Sequence, residues 1–201
     1  MSEWLVYLEL GVRHIADLAG YDHILFVAAL AMGFTLSDWK QLALLVTAFT
    51  LGHSVSLAVA TLVSVPIPAV AVEIAIPATI IVAAAQAIAA QHKPPRQRFN
   101  RTPGATRYLL TVAFGLIHGL GFSSYLRALL GSEDGILLPL FAFNIGLEIG
   151  QLIILVVVLV VSALAVRTLF TERDWVHLVG GAAAGISLIL LGERVSVAFA
   201  T

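Results

Sequence analysis

His14-Ile15-Ala16-Asp17-Leu18-Ala19-Gly20-Tyr21-Asp22-His23 runs directly into the apolar stretch Ile24 to Phe34. Two imidazoles and two carboxylates stand at the mouth of a hydrophobic segment. An ionisable side chain at the centre of a bilayer costs at least about 2.5–3.5 kcal/mol, so such groups are kept where they meet partners, a ligand or water. The fold follows from asking which other residues of the chain reach the same depth.

Composition answers the first part. The 201 residues are 60% hydrophobic and 11% charged, with a mean hydropathy of +0.99. Soluble domains carry about 25% charged residues, so this chain lacks the surface charge that a water-soluble protein needs. Its apolar runs are continuous and rich in Leu, Ala, Val and Ile, whereas a membrane β-barrel shows short alternating segments. Helices are therefore expected, in one integral-membrane domain covering residues 1–201. The absence of cysteine excludes disulfides, iron–sulfur clusters and thiolate zinc sites. A net charge of −1 points to no acidic or basic partner. Met1-Ser-Glu-Trp-Leu5 has no basic region, and no cleavable signal peptide is expected.

Residues 3–19 form a first helix that is too polar and too short to cross comfortably, since a crossing needs about 20 apolar residues. It is expected to be interfacial or partly inserted. Six spans follow, at about Tyr21–Phe34, Asp38–Val63, Pro68–Gln91, Ala105–Phe122, Ile136–Arg167 and Trp175–Phe199. If the first helix also crosses, the spans number seven. Ser37 or Asp38 is the expected cap of the second span, Pro66 and Pro68 break the chain before the third, and Ser123–Asp134 reads as a loop. Gly115/Gly119, Gly146/Gly150 and Gly181/Gly185 have the spacing that lets helices approach closely in lipid. A homo-oligomer is compatible with this spacing.

Lys and Arg set the orientation. With the polar 92–107 connection in the cytoplasm, that side holds Lys40, Lys93, Arg96, Arg98, Arg101, Arg107, Arg167 and Arg173, against Arg13, Arg127 and Arg194 opposite. Eight against three places the C-terminus in the periplasm of a bacterial inner membrane. The basic loop reads as this topology signal, with no nucleic-acid partner implied.

Depth then gathers the polar residues. Between Gln41 and His92 the only Asp, Glu, Lys or Arg is Glu73. Counted at about 1.5 Å per helical residue, Asp22, His23, His53, Glu73, His118, Asn144 and Glu148 all fall in the outer half. Thr47, Thr50, His53 and Ser54 line one helix face, and Asn144, Glu148 and Gln151 another. Pro77 frees a backbone carbonyl near this depth, and His118-Gly-Leu-Gly-Phe122 reads as open backbone beside an imidazole. Imidazoles and carboxylates together suit a divalent first-row cation such as nickel, cobalt or zinc. The expected ligands are His14, Asp22, His23, His53, His118 and Glu148, supported by Asp17, Glu73, Thr50, Ser54, Asn144 and Gln151. His14 and Asp17 form an outer gathering pair. A single membrane histidine is as readily a hydrogen-bonded packing residue, and it is the convergence that favours a site. His92 and His177 read as surface residues, and Glu193-Arg194 as a structural ion-pair element toward Asp22 or Glu148.

These same residues carry a resemblance. His14…Gly20-Tyr-Asp-His-Ile-Leu-Phe26, Thr47-Ala-Phe-Thr-Leu-Gly-His-Ser54, Phe114-Gly-Leu-Ile-His-Gly-Leu-Gly-Phe122 and Phe143-Asn-Ile-Gly-Leu-Glu-Ile-Gly-Gln151 are similar to the HupE/UreJ membrane proteins, over nearly the whole chain. The resemblance implies a hydrogenase- or urease-accessory role and a nickel or cobalt permease, with His14, Asp22 and His23 as the metal contact of the first span. Two functions of different class are open. One is a permease for a divalent transition metal. The other is an intramembrane zinc hydrolase acting on a lipid or peptide, with Glu73 or Glu148 as general base. A metal-sensing or assembly subunit is the third reading.

Overall fold

The protein is described by a computed structural model over residues 2–63, 68–91, 104–130 and 135–200. Helices α1 (Glu3–Ile15), α2 (Asp22–Ala31), α3 (Trp39–Val63), α4 (Ala69–Ala90), α5 (Ala105–Leu130), α6 (Leu137–Thr168) and α7 (Glu172–Ala200) make up these residues, with one 3-10 turn at Leu36–Asp38. No strand occurs among them. Five of the helices, α3 to α7, are long and apolar enough to cross a membrane, and α2 is a shorter apolar helix. Pro66, residues 92–103 of the basic connection and residues 131–134 of the expected 123–134 loop lie outside the described residues. On α6, Ile153, Val156, Val157, Val160 and Val161 are exposed, as a lipid-facing surface requires.

Several boundaries differ from expectation. The first helix stops at Ile15, and a six-residue break separates it from Asp22. Asp17 Oδ1 accepts the Ala19 N–H at 2.9 Å within this break, so the polar stretch folds as a turn. Gly33, at φ +81°, turns the chain after α2 in a conformation that other residues adopt at a cost. The cap before α3 is Thr35, whose N–H and hydroxyl both donate to Asp38 Oδ2 at 2.8 and 2.7 Å. The Ser123–Leu130 stretch is helical. Ser123 returns its hydroxyl to the Leu120 carbonyl at 2.8 Å, Leu126 is fully buried, and Arg127 donates to the Ala60 carbonyl at the end of α3. Tertiary contacts thus hold as helix a segment whose serines read locally as loop. His118-Gly-Leu-Gly-Phe122 is likewise helical, so its glycines supply close approach and no open backbone.

Helix directions follow from the contacts. Gly52 of α3 lies against Val112, and Gly115 and Gly119 of α5 against Phe49 and His53, so α3 and α5 run parallel in intimate contact. Gly146 and Gly150 of α6 lie against Leu8 and Ile15, so α1 runs parallel to α6. Gly180 meets Ile88, and Glu73 meets Arg194, making α4 and α7 antiparallel. A Cβ at Gly181 or Gly185 would meet nothing. The third small-residue spacing therefore sits one residue off the contact, which Gly180 makes. The starts of α1, α4 and α6 share one face of the bundle, here the N-terminal face. Helix α2 begins beside His118 and ends where Arg107 Nη2 donates to the Leu30 carbonyl at 3.0 Å. It therefore runs antiparallel to α5. Helices α1 and α2 consequently run in the same direction, one after the other, away from the N-terminal face.

Two large apolar clusters, with a smaller one at Met32, Ala87 and Val176, fill the interior among the described residues. One joins Tyr7, Ile15, Leu57, Leu126, Phe143 and Leu147 toward the N-terminal face. The other joins Phe26, Leu30, Leu45, Phe49, Ile80 and Leu155 toward the opposite face. His14, His23, His53 and His118 occupy the layer between them.

The α3–α5 contact is set by missing side chains. A methyl on Gly52 would overlap the Val112 carbonyl oxygen, a backbone atom that cannot move aside. Gly52→Ala should therefore lower stability by about 1–3 kcal/mol, the usual cost of overpacking. Gly181→Ala, in open space, should be neutral or gain up to about 1 kcal/mol of helix propensity. Thermal unfolding of both variants in detergent tests this, and equal behaviour of the pair would refute it.

Candidate metal centre

Each imidazole comes from a different helix. His14 lies in the last turn of α1, His23 in the first turn of α2, and His53 and His118 in the middle of α3 and α5. His23, His53 and His118 are 4%, 0% and 1% exposed. Two sets of potential ligand atoms each lie within 4.8 Å of one another: His14, His23 and His53 form one, and Asp22, His23 and His118 the other. His23 belongs to both. Its ring centroid is 5.0 Å from that of His14, 5.9 Å from His53 and 5.1 Å from His118.

The nitrogens are short of partners. His14 Nε2, both nitrogens of His23 and of His53, and His118 Nδ1 are buried without a hydrogen bond among the described residues. His23 Nδ1 does lie 3.0 Å from Asp22 Oδ1, close enough for an ion pair but outside hydrogen-bond geometry. A buried polar atom left without a partner costs about 1–3 kcal/mol, and six such atoms belong to these four rings, each of which offers one nitrogen to a ligand group.

One nitrogen is assigned by its neighbour. Thr79 donates its hydroxyl to the Ile76 carbonyl at 2.7 Å, and the same oxygen lies 3.0 Å from His118 Nε2. A hydroxyl has one hydrogen. Thr79 therefore accepts from Nε2–H, which leaves the lone pair of His118 on Nδ1, the nitrogen without a partner. This is how a supporting residue fixes the tautomer of a metal-binding histidine. Thr79 has no signature in the sequence beyond its place two residues after Pro77.

Aromatic rings wall the site. The His14 ring lies 3.9 Å from that of Phe122 and 5.7 Å from Phe143. The His118 ring lies 5.1 Å from Phe49 and 5.6 Å from Phe26. These rings screen the imidazoles from lipid and water.

The remaining expected residues separate into three places. Asp17 is exposed in the α1–α2 break, while His14, its expected gathering partner, sits inside the ligand set. Glu73 pairs with Arg194 at 3.3 Å, so the C-terminal arginine meets neither Asp22 nor Glu148, the partners expected for it. Glu148 stands outside both ligand groups: its Oε1 accepts the Thr47 hydroxyl at 2.5 Å. Thr50 donates to Gln151 Oε1 at 2.5 Å beside it. These two links join α3 to α6. Ser54 and Asn144 are half-buried, and Asn144 Oδ1 has no hydrogen-bond partner among the described residues. His177, expected at the surface, rests on its own helix, with Nδ1 2.6 Å from the Arg173 carbonyl oxygen.

The quoted motifs supply all five clustered side chains, and the HupE / UreJ protein family model matches residues 1–192. The chain belongs to the HupE/UreJ family. No curated protein and no solved structure matches it. In this HupE/UreJ protein the clustered side chains thus come from α1, α2, α3 and α5, and the family match covers all four helices.

The α3–α6 link gives a direct test of its energetics. Glu148 Oε2 is buried without a partner among the described residues, so Thr47 is its carboxylate's one hydrogen-bond donor there. Thr47→Val should destabilise the protein by about 1–3 kcal/mol. Adding Glu148→Leu should recover much of that loss, because both polar partners are then gone. Chemical denaturation in detergent micelles reads the coupling, and strictly additive losses would refute it.

Proposed function

We infer that the protein binds a divalent transition metal, nickel, cobalt or zinc, in this layer and carries it across a bacterial inner membrane. The observation behind this reading is the convergence of four imidazoles from four helices, six of whose nitrogens lack a hydrogen-bond partner among the described residues. Neutral imidazoles suit these metals, and Asp22 offsets part of the charge of a divalent ion. The cation is the cargo, and hydrogenase or urease maturation is the family context for its use.

Helices α1 and α2 act as two halves of one interrupted crossing. Together they span about 35 Å at 1.5 Å per residue, enough for a hydrocarbon core of about 30 Å. The chain then crosses six times. The N-terminal face and the C-terminus are periplasmic and the 92–107 connection is cytoplasmic, as the basic residues favour. The Thr50–Gln151 and Thr47–Glu148 links continue the polar face of α3 from His53 toward the cytoplasmic side, which supports passage. Hydrolysis has less support: Glu73 is engaged by Arg194 and Glu148 by Thr47, so neither candidate base stands among the ligand groups.

Elemental analysis of purified protein tests the reading. Wild type should retain metal after exposure to Ni²⁺ and desalting. His23→Ala should lose the most, because His23 alone serves both ligand groups. Thr79→Val should weaken affinity about 10–100-fold, as loss of a supporting hydrogen bond does. Equal, near-zero metal in wild type and His23→Ala would overturn the proposal.

A further inference from the structure

Beside the imidazoles lies a cavity of about 150 Å³ that no part of the function above uses. It opens between the α1–α2 break, α4 and α7, and its walls include Gly20, Asp22, Glu73, Pro77, Leu190 and Arg194. Asp22 belongs both to this wall and to a ligand group, so the cavity reaches the candidate centre through that carboxylate. The other charged groups on the wall are Glu73 and Arg194, which pair across it at 3.3 Å, with side chains 48% and 50% exposed. Pro77 has no N–H, so the Glu73 carbonyl lacks its usual helical donor on the same wall.

We propose that this cavity is the entry vestibule for a hydrated divalent cation and that the Glu73–Arg194 pair sets its charge. The inference rests on the metal reading of the imidazole layer. The space is too large for a bare ion, and two carboxylates, Asp22 and Glu73, stand on an otherwise mostly apolar wall, which suits a cation that still carries part of its water shell. Asp22 and Glu73 bring two negative charges and Arg194 one positive, leaving the mouth at −1. A guanidinium does not give up its charge, so Arg194 repels an incoming cation to the extent that Glu73 does not neutralise it. Glu73 has two roles in this geometry. It holds Arg194 away from Asp22, and it lends the cation a carboxylate on the way in. Arg194 in turn holds Glu73 back from gripping the ion so tightly that it never reaches the imidazoles.

The two charges therefore predict rate effects of opposite sign. Purified wild type, Glu73→Gln, Arg194→Gln and the double variant are mixed with Ni²⁺ in a stopped-flow instrument, with a chelating dye reporting the free ion. Clefts of one charge sign change association rates by 10–10³-fold. Glu73→Gln should therefore slow Ni²⁺ association about tenfold or more, Arg194→Gln should accelerate it, and the double variant should return near the wild-type rate. The chain has no cysteine, so Leu190→Cys gives a single attachment point. A bulky cationic methanethiosulfonate coupled there should also slow entry while leaving final occupancy unchanged. Rates unaffected by both single charge variants, or shifted in the same direction by both, overturn the vestibule while the metal reading stands. A wild type that takes up no Ni²⁺ overturns the metal reading, and the vestibule with it.

Discussion

The arrangement depends on how close two helix backbones come. A layer of imidazoles drawn from four helices forms only if those helices are held in fixed register, and in lipid no hydrophobic force draws helices together. The glycines at 52, 115 and 119 remove the side chains that would hold α3 and α5 apart, and Gly146 does the same for α1 against α6. His53 and His14 are carried to the same layer by those two contacts. The backbone and the site are thus one construction. The carbonyl of His53 is the atom against which Gly119 packs, and the ring of His53 is one of the four in the layer.

The break between α1 and α2 adds the electrostatics. A helix end leaves backbone groups without intrahelical partners, positive at the start and negative at the finish. His14 stands in the last turn of α1, where the dipole favours a cation. Asp22 opens α2, where the dipole favours an anion, and its Oδ1 accepts the His23 N–H at 2.9 Å. A carboxylate there is stabilised by its own helix while it cancels the positive helix start that would otherwise face the imidazoles. Interrupted helices that present such ends to a site are a recurring arrangement in transporters.

Much of this was legible in the residues and part was not. Energy cost picked out His14, Asp22, His23, His53 and His118, because polar groups in apolar helices must converge somewhere. The same reasoning placed Glu148 with the ligands, whereas its Oε1 accepts the Thr47 hydroxyl, because depth places a side chain along the helix axis but says little about which neighbour it meets. Thr47 sits on the polar face of α3 already recognised, yet the pairing is a matter of helix crossing geometry. Thr79 was invisible because a threonine costs little in a helix and its role lies wholly in a contact 39 residues away. The length of α5 was underestimated because Ser123 and Ser124 weaken helix locally, whereas Leu126 and Arg127 fix the segment through α3. Composition fixed the helical membrane class without ambiguity.

The two sides of the imidazole layer are unequal, and that bears on how a cation could leave it. Toward the N-terminal face the break at residues 16–21 opens onto the cavity at Asp22. Toward the opposite face the layer is closed by Phe26 and Phe49, whose ring centroids lie 4.7 Å apart, and below them by Arg107 stacked 4.7 Å over Phe34. An ion moving that way must displace Phe26, and Phe26 rides on α2. Among the described α-helices, α2 is the shortest, at 10 residues. It is bounded by the break on one side and by the left-handed Gly33 on the other, and its far end meets α5 through Arg107, which donates to the Leu30 carbonyl and stacks over Phe34. The element that carries His23, the one ligand shared by both groups, is therefore also a short core helix with a chain break at each end. Moving α2 would open the closed side and dismantle the ligand set in the same step, which is the coupling that passage across this layer requires.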